Sequence, residues 1–104
     1  MNQHYELDAS VVHKTWDKEI EPRLTIESGD TVSFDTRDAA DLYYSPNSVS
    51  EDIEKRGPFV GHPLTGPVYI RDAEPGDVLA IEVKAIEFSS NFGWTAVHKG
   101  RGLL

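Results

Sequence analysis

The sequence predicts an all-β protein, a β-sandwich or barrel-like domain with at most one short helix. Two segments, IESGDTVSF (26–34) and AEPGDVLAI (73–81), each set Glu, a small or proline residue, Gly and Asp ahead of alternating apolar positions. That is the layout of a tight turn feeding a strand. Gly-Pro pairs at 57–58 and 66–67 add further punctuation, and helical signal is confined to residues 48–56. One short helix among several strands points to a β architecture.

Taken in order, strands are expected near 23–27 and 31–36. In the second of these Val32 and Phe34 face one side, while Thr31, Ser33 and Asp35 face the other. SVSEDIEKR (48–56) suits a short helix: Ser48 or Ser50 caps it, and Glu51, Asp52 and Glu54 fall in its first turns. Lys55 and Arg56 lie near its end, and Gly57-Pro58 stops it. Turns follow at 61–67 and 74–77, with strands at 67–71, 77–87 and 93–98. Val78, Leu79, Ile81 and Val83 make 77–87 the most continuously apolar, as in a buried central strand. The likeness between the two Gly-Asp segments ends after about nine residues, so it reads as one kind of turn used twice, not as an internal repeat.

The length of 104 residues suits a single β-rich domain over 1–104. A hydrophobic content of 38% is enough for a folded chain. No apolar run approaches the roughly 18 residues of a membrane span. MNQHYELDAS lacks the basic-then-apolar layout of a signal peptide, so a cytoplasmic location is expected. The absence of cysteine removes disulfides, thiolate metal sites and a cysteine nucleophile, and fits a reducing compartment. A net charge of −8 argues against nucleic acid as a partner and against docking on an anionic membrane.

Four histidines are present, His4, His13, His62 and His98, and none forms a close ligand pair with another. His4 falls in the N-terminal tail, His13 reads as packed or surface, and His98 as exposed. His62 differs because Gly61 lets the chain bend, Pro63 restricts His62 to extended conformations, and Gly66-Pro67 closes the loop. Such rigidity suits a ligand or general base, and equally a plain connection between strands. FDTRDAADLYY (34–44) offers Asp35, Asp38 and Asp41, which on a continuing strand do not all share a face. One of these carboxylates with a histidine from another loop is half of a metal site; a solvated acidic loop is the alternative. LTIESGDTVSF looks like the opening strands of a cupredoxin, but a blue-copper centre needs a cysteine. A serine hydrolase has no G-x-S-x-G here to support it.

GHPLTGPVYIRDAEPGDVLAIEV (61–83) closely resembles the signature region of the acetamidase/formamidase family. VHKTWDKEIEPRLTIESGDTVSFDTRDA (12–39) looks like that family's N-terminal region, and FGWTAVHKGRGLL (92–104) is similar to the segment that follows. The resemblance implies hydrolysis of a small amide to a carboxylate and ammonia by a cytoplasmic, oligomeric and in several cases metal-containing enzyme. Carried over by position, it places Asp38 and His62 as ligands of a divalent ion, zinc first, which would polarise the amide carbonyl and lower the pKa of a bound water. It assigns no general base in this chain. Two departures stand out: AADLYYSPNS follows Asp38 where relatives have a glycine-rich continuation, and the family's enzymes are much longer. The expectation is therefore an N-terminal portion or subunit, inactive alone. Its uncovered apolar surface would be met by self-association into a homo-oligomer or by the amidase's C-terminal half on another chain. The rival expectation is a non-catalytic β-sandwich binding module that keeps the family fold.

Overall fold

Alternation of small polar and apolar residues gives the chain short strands, and its many Gly, Pro and Asp residues keep them short. The computed structural model describes residues 2–57, 60–97 and 100. Its elements are β1 (His4–Leu7), β2 (Val12–His13), β3 (Leu24–Ile26), β4 (Thr31–Phe34), α1 (Glu51–Lys55), β5 (Leu64–Thr65) and β6 (Val68–Ile70). Strands and one five-residue helix make it all-β, as the sequence predicts. No helix among the described residues is long and apolar enough to cross a membrane. Internal contacts divide the chain into two compact units, residues 1–42 with 60–79, and residues 43–59 with 80–104.

All six strands lie in the first unit, paired two by two. β1 and β4 run parallel, His4 opposite Thr31 and Leu7 opposite Phe34. The Thr31 amide donating to the Gln3 carbonyl and the Asp35 amide to the Leu7 carbonyl, both at 2.9 Å, extend that ladder at its two ends. β3 and β6 are likewise parallel, and β2 and β5 antiparallel. Along β1 exposure alternates: His4 and Glu6 point to solvent, Tyr5 is half-buried and Leu7 buried, the period-two pattern of a strand with one covered face. The apolar core is thin, and the buried hydrophobic residues among those described are Leu7 and Ala40.

Polar contacts to the backbone supply much of the remaining order. Arg23 donates to the carbonyls of Asp8 at 2.6 Å and Val11 at 2.9 Å, and to the Asp8 carboxylate at 2.9 Å. Arg37 donates to the carbonyls of Ala9 at 3.0 Å and Ser10 at 3.4 Å. The connection from β1 to β2 is thus gripped at four consecutive carbonyls by two guanidinium groups, which carry five donors each.

The two Gly-Asp segments fold into the same turn. Asp30 Oδ2 accepts the Glu27 amide at 2.9 Å and the Asp30 amide donates to the Glu27 carbonyl at 3.0 Å. Asp77 does the same with Glu74 at the same distances. Gly29 and Gly76 sit at φ +92° and +98°, the left-handed position that a type II turn reserves for glycine. The first turn leads into β4. The second leads into 77–87, where the sequence predicts a strand and the structure has none. The backbone there has no ladder partner among the described residues, so its apolar side chains stay in solvent. No strand forms over 93–97 either, and residue 98 lies outside the described residues. Conversely, β5 falls inside the expected 61–67 turn, and β1 and β2 arise where the sequence gives no strand signal.

In the second unit the expected 48–56 helix is observed as α1. Ser50 stands at its N-cap without a side-chain cap bond; Asp52 instead reaches back to the Val49 amide at 2.9 Å, and Ser48 takes the Ser45 amide at 2.8 Å. The Tyr43 hydroxyl donates to the Asp52 carbonyl at 2.9 Å, and Tyr44 packs between Tyr43 and Trp94, with ring centroids 4.9 and 4.6 Å away. Gly57 ends the element at φ +84°, and Pro58 lies outside the described residues.

Asp8 makes the first unit sensitive to acid. Hydrogen bonds from the Ser10 hydroxyl and amide, then from Arg23, hold its carboxyl at about 2, below the usual 3.8. A carboxylate depressed on folding stabilises the fold above its unfolded pKa, and that contribution is lost as pH falls through the folded value. Urea unfolding across pH should therefore show wild type losing its advantage over Asp8→Asn between about pH 4 and about pH 2. An advantage unchanged across that window would contradict this role of Asp8.

Candidate functional site

Three segments of the first unit meet where the sequence places its candidate residues. The first is β2 with Lys14 behind it, the second the 61–66 loop, and the third the turn from Arg37 to Leu42. Gly61, at φ +102°, lies where an added Cβ would collide with the Lys14 carbonyl. The glycine lets the loop lie flat on residue 14, and the buried Pro63 fixes its exit into β5. His62 stands between them, exposed. At the far end Gly66 is buried beside the His13 ring, and the Thr65 hydroxyl donates to the Asp35 carbonyl at 2.6 Å.

The Asp38 turn is built around its own carboxylate. Asp38 Oδ1 accepts the amides of Ala40 at 2.9 Å and Leu42 at 3.0 Å, and the Asp38 carbonyl accepts the Asp41 amide at 2.9 Å. Asp41 and Leu42 both take positive φ, +54° and +66°. Aspartate tolerates that region, whereas a leucine there is strained, at a cost of roughly 1–2 kcal/mol. The Asp41 carboxylate is held by Arg37 Nη1 at 3.0 Å and Lys14 Nζ at 3.6 Å. The Arg37 bond first, then the charges of both cations, hold it below the usual carboxylate range. Lys14 therefore touches both the loop that carries His62 and the turn that carries Asp38.

Asp38 is half-buried, with one oxygen committed to backbone amides and Oδ2 outside those bonds. Asp35 is exposed just past the end of β4. Because the strand stops at Phe34, strand parity does not govern the three aspartates, and Asp38 and Asp41 share one turn. His4 lies in β1 with Nε2 2.7 Å from Ser33 Oγ, not in a loose tail. His98 lies outside the described residues. One feature carries no sequence signal: His13 Nδ1 is buried with no hydrogen-bond partner among the described residues. Its surroundings come from pairing with Leu64, fifty-odd positions along the chain, so no local pattern marks it.

A protein-held ion needs three or more well-placed donors. Among the described residues no group of three His, Cys, Asp or Glu is placed to hold a metal ion. The unpartnered His13 nitrogen and the second oxygen of Asp38 are donor atoms, but these residues do not by themselves make a complete centre.

The two readings of Asp38 separate by substitution. Asp38→Asn keeps the acceptor oxygen and should leave thermal stability close to wild type. Asp38→Ala strands two amides and should cost on the order of 1–3 kcal/mol, read by urea unfolding. Equal stability for both variants would contradict the turn described here.

Comparison with known proteins gives two matches. The profile of the Acetamidase/Formamidase family matches residues 1–104. A Schizosaccharomyces pombe protein provisionally named a formamidase is 31% identical over 83 residues, covering 80% of this chain and 20% of that protein. The chain thus spans about a fifth of the length of that relative. No solved structure matches.

Proposed function

The chain belongs to the acetamidase/formamidase family, and we propose that it supplies the N-terminal part of an amide-hydrolysing centre, with His62 and Asp38 as its contribution. The reaction assigned is hydrolysis of a small linear amide to a carboxylate and ammonia. The observation that carries this reading is the family match along the whole chain. The meeting of the His62 loop and the Asp38 turn on Lys14 supports the choice of residues.

Within that centre the chain's own groups have separable tasks. Gly61 and Pro63 fix the backbone on either side of His62, which limits the entropy lost when its ring takes up a ligand. Arg37 and Lys14 fix Asp41 and with it the turn in which Asp38 sits. Zinc is the ion assigned to the centre, with Asp38 and His62 as two of its ligands. Its remaining ligands and the general base are assigned to the C-terminal part of a family amidase, the part that the match to this chain does not cover. A cytoplasmic, reducing setting suits a protein without cysteine.

A second reading is favoured by one observation. Asp38 Oδ1 accepts two backbone amides, a structural use that a non-catalytic binding module would retain. The experiment that separates the readings is ammonia release from formamide and acetamide with added Zn²⁺. It is run on this chain alone and mixed with a chain carrying the C-terminal part of a family amidase. Activity only in the mixture, abolished by His62→Ala, is the expected result. Inactive mixtures of folded, associated chains would overturn the catalytic reading in favour of the binding module.

A further inference from the structure

The second unit holds a cavity for which the amide-hydrolysing centre has no use. Its lining comes from residues 44–53 and 92–96, all within that unit, and it encloses about 290 Å³. Tyr44, Phe92 and Trp94, each half-buried, give it ring surface, and Val49 and Ile53 add aliphatic surface. Tyr44 and Trp94 also pack on one another, with ring centroids 4.6 Å apart, which holds both rings in place. Among the described residues no Asp, Glu, Lys, Arg or His lines the cavity. Charged residues make up 27% of the chain, so a neutral lining is not its default surface.

Apart from the Trp94 indole, the polar side chains of the lining are hydroxyls. Ser45 Oγ accepts the Asn47 amide at 3.2 Å and Ser48 Oγ accepts the Ser45 amide at 2.8 Å, and each hydroxyl keeps its own proton to donate. Ser50 makes no side-chain cap bond, which leaves its hydroxyl for a ligand as well.

These features select a ligand class. A charge brought into a neutral cavity loses hydration without gaining a counter-charge, so the occupant is uncharged. Aromatic walls favour a flat ring, stacked or edge-on. An apolar cavity of about 150 Å³ holds a benzene ring, and about twice that volume admits one ring with a short substituent. Hydroxyl protons free to donate call for a hydrogen-bond acceptor on that substituent.

We propose that the cavity bounded by Tyr44, Trp94 and Ser50 binds an uncharged, single-ring aromatic molecule that bears a carbonyl acceptor. Such a ligand is larger than the small linear amide assigned to His62 and Asp38, and those two residues lie in the first unit. The inference therefore goes beyond the amidase reading and does not rest on it.

Benzamide is the probe, followed by tryptophan fluorescence of the full chain carrying Trp16→Phe. Trp16 is 94% exposed, so this substitution costs the fold little and leaves Trp94 as the only tryptophan. Circular dichroism is the folding control. Benzamide should give a saturable change with a dissociation constant of about 1 mM or tighter. Benzoate and benzylamine have nearly the same shape but carry a charge at neutral pH, and should bind at least about tenfold more weakly. Acetamide, an amide without a ring, should give no change. Val49→Glu sets a carboxylate at an exposed position on the lining and should weaken benzamide binding at least about tenfold. Absence of a saturable change, an equal response to acetamide, equal affinity for the neutral and charged probes, or indifference to Val49→Glu would each overturn the proposal. The readout is fluorescence, not ammonia, so failure here leaves the amidase reading standing, and failure of that reading leaves this test unaffected.

Discussion

The first unit depends on the four carbonyls of residues 8–11, each of which receives an N–H from an arginine. Arg23, just before β3, takes the outer two, and Arg37, just after β4, takes the inner two. A connection of this kind has no strand to satisfy its backbone, and unsatisfied polar groups are costly once partly covered. Two side chains from different ladders meet that need and in doing so tie the β1–β2 connection to β3 and β4. With Leu7 and Ala40 as the buried apolar residues, hydrophobic contact alone is a thin basis for that arrangement. Arg37 also binds Asp41, so the same guanidinium that secures the connection secures the turn bearing Asp38.

Legibility in the sequence followed locality. The two Gly-Asp turns were readable because each is closed by groups three residues apart, Asp30 with Glu27 and Asp77 with Glu74. The helix at 51–55 was readable for the same reason, although Asp52 rather than a serine side chain caps its start. β2 and β5 were not, since a two-residue strand has no periodicity and exists only through its distant partner. The strand pattern at 77–87 failed in the opposite direction. Alternation of Leu79, Ile81 and Val83 encodes a face that should be covered, but it does not encode a cover within the chain.

The candidate site divides along the same line. The constraint around His62 was legible because Gly61 and Pro63 flank it in the local sequence, and the collision that a Cβ at 61 would cause with Lys14 gives that glycine a physical reason. Asp38 was singled out by family resemblance, and in the structure its carboxylate holds the 38–42 turn. The unpartnered His13 nitrogen was beyond reach, because burial of one ring atom is set by the β2–β5 pairing. The chain covers a fifth of its Schizosaccharomyces pombe relative, and among the described residues no three His, Cys, Asp or Glu side chains are grouped to hold a metal ion.

The grip of the two arginines is tested most directly by NMR of their side chains. Hydrogen exchange at guanidinium Nε–H and Nη–H, with rotation about the Nε–Cζ bond, distinguishes a held group from a solvated one. Arg23 and Arg37 should exchange slowly and rotate slowly, while the more exposed Arg71 exchanges and rotates fast. Fast, uniform behaviour of all three in the folded chain would contradict the account.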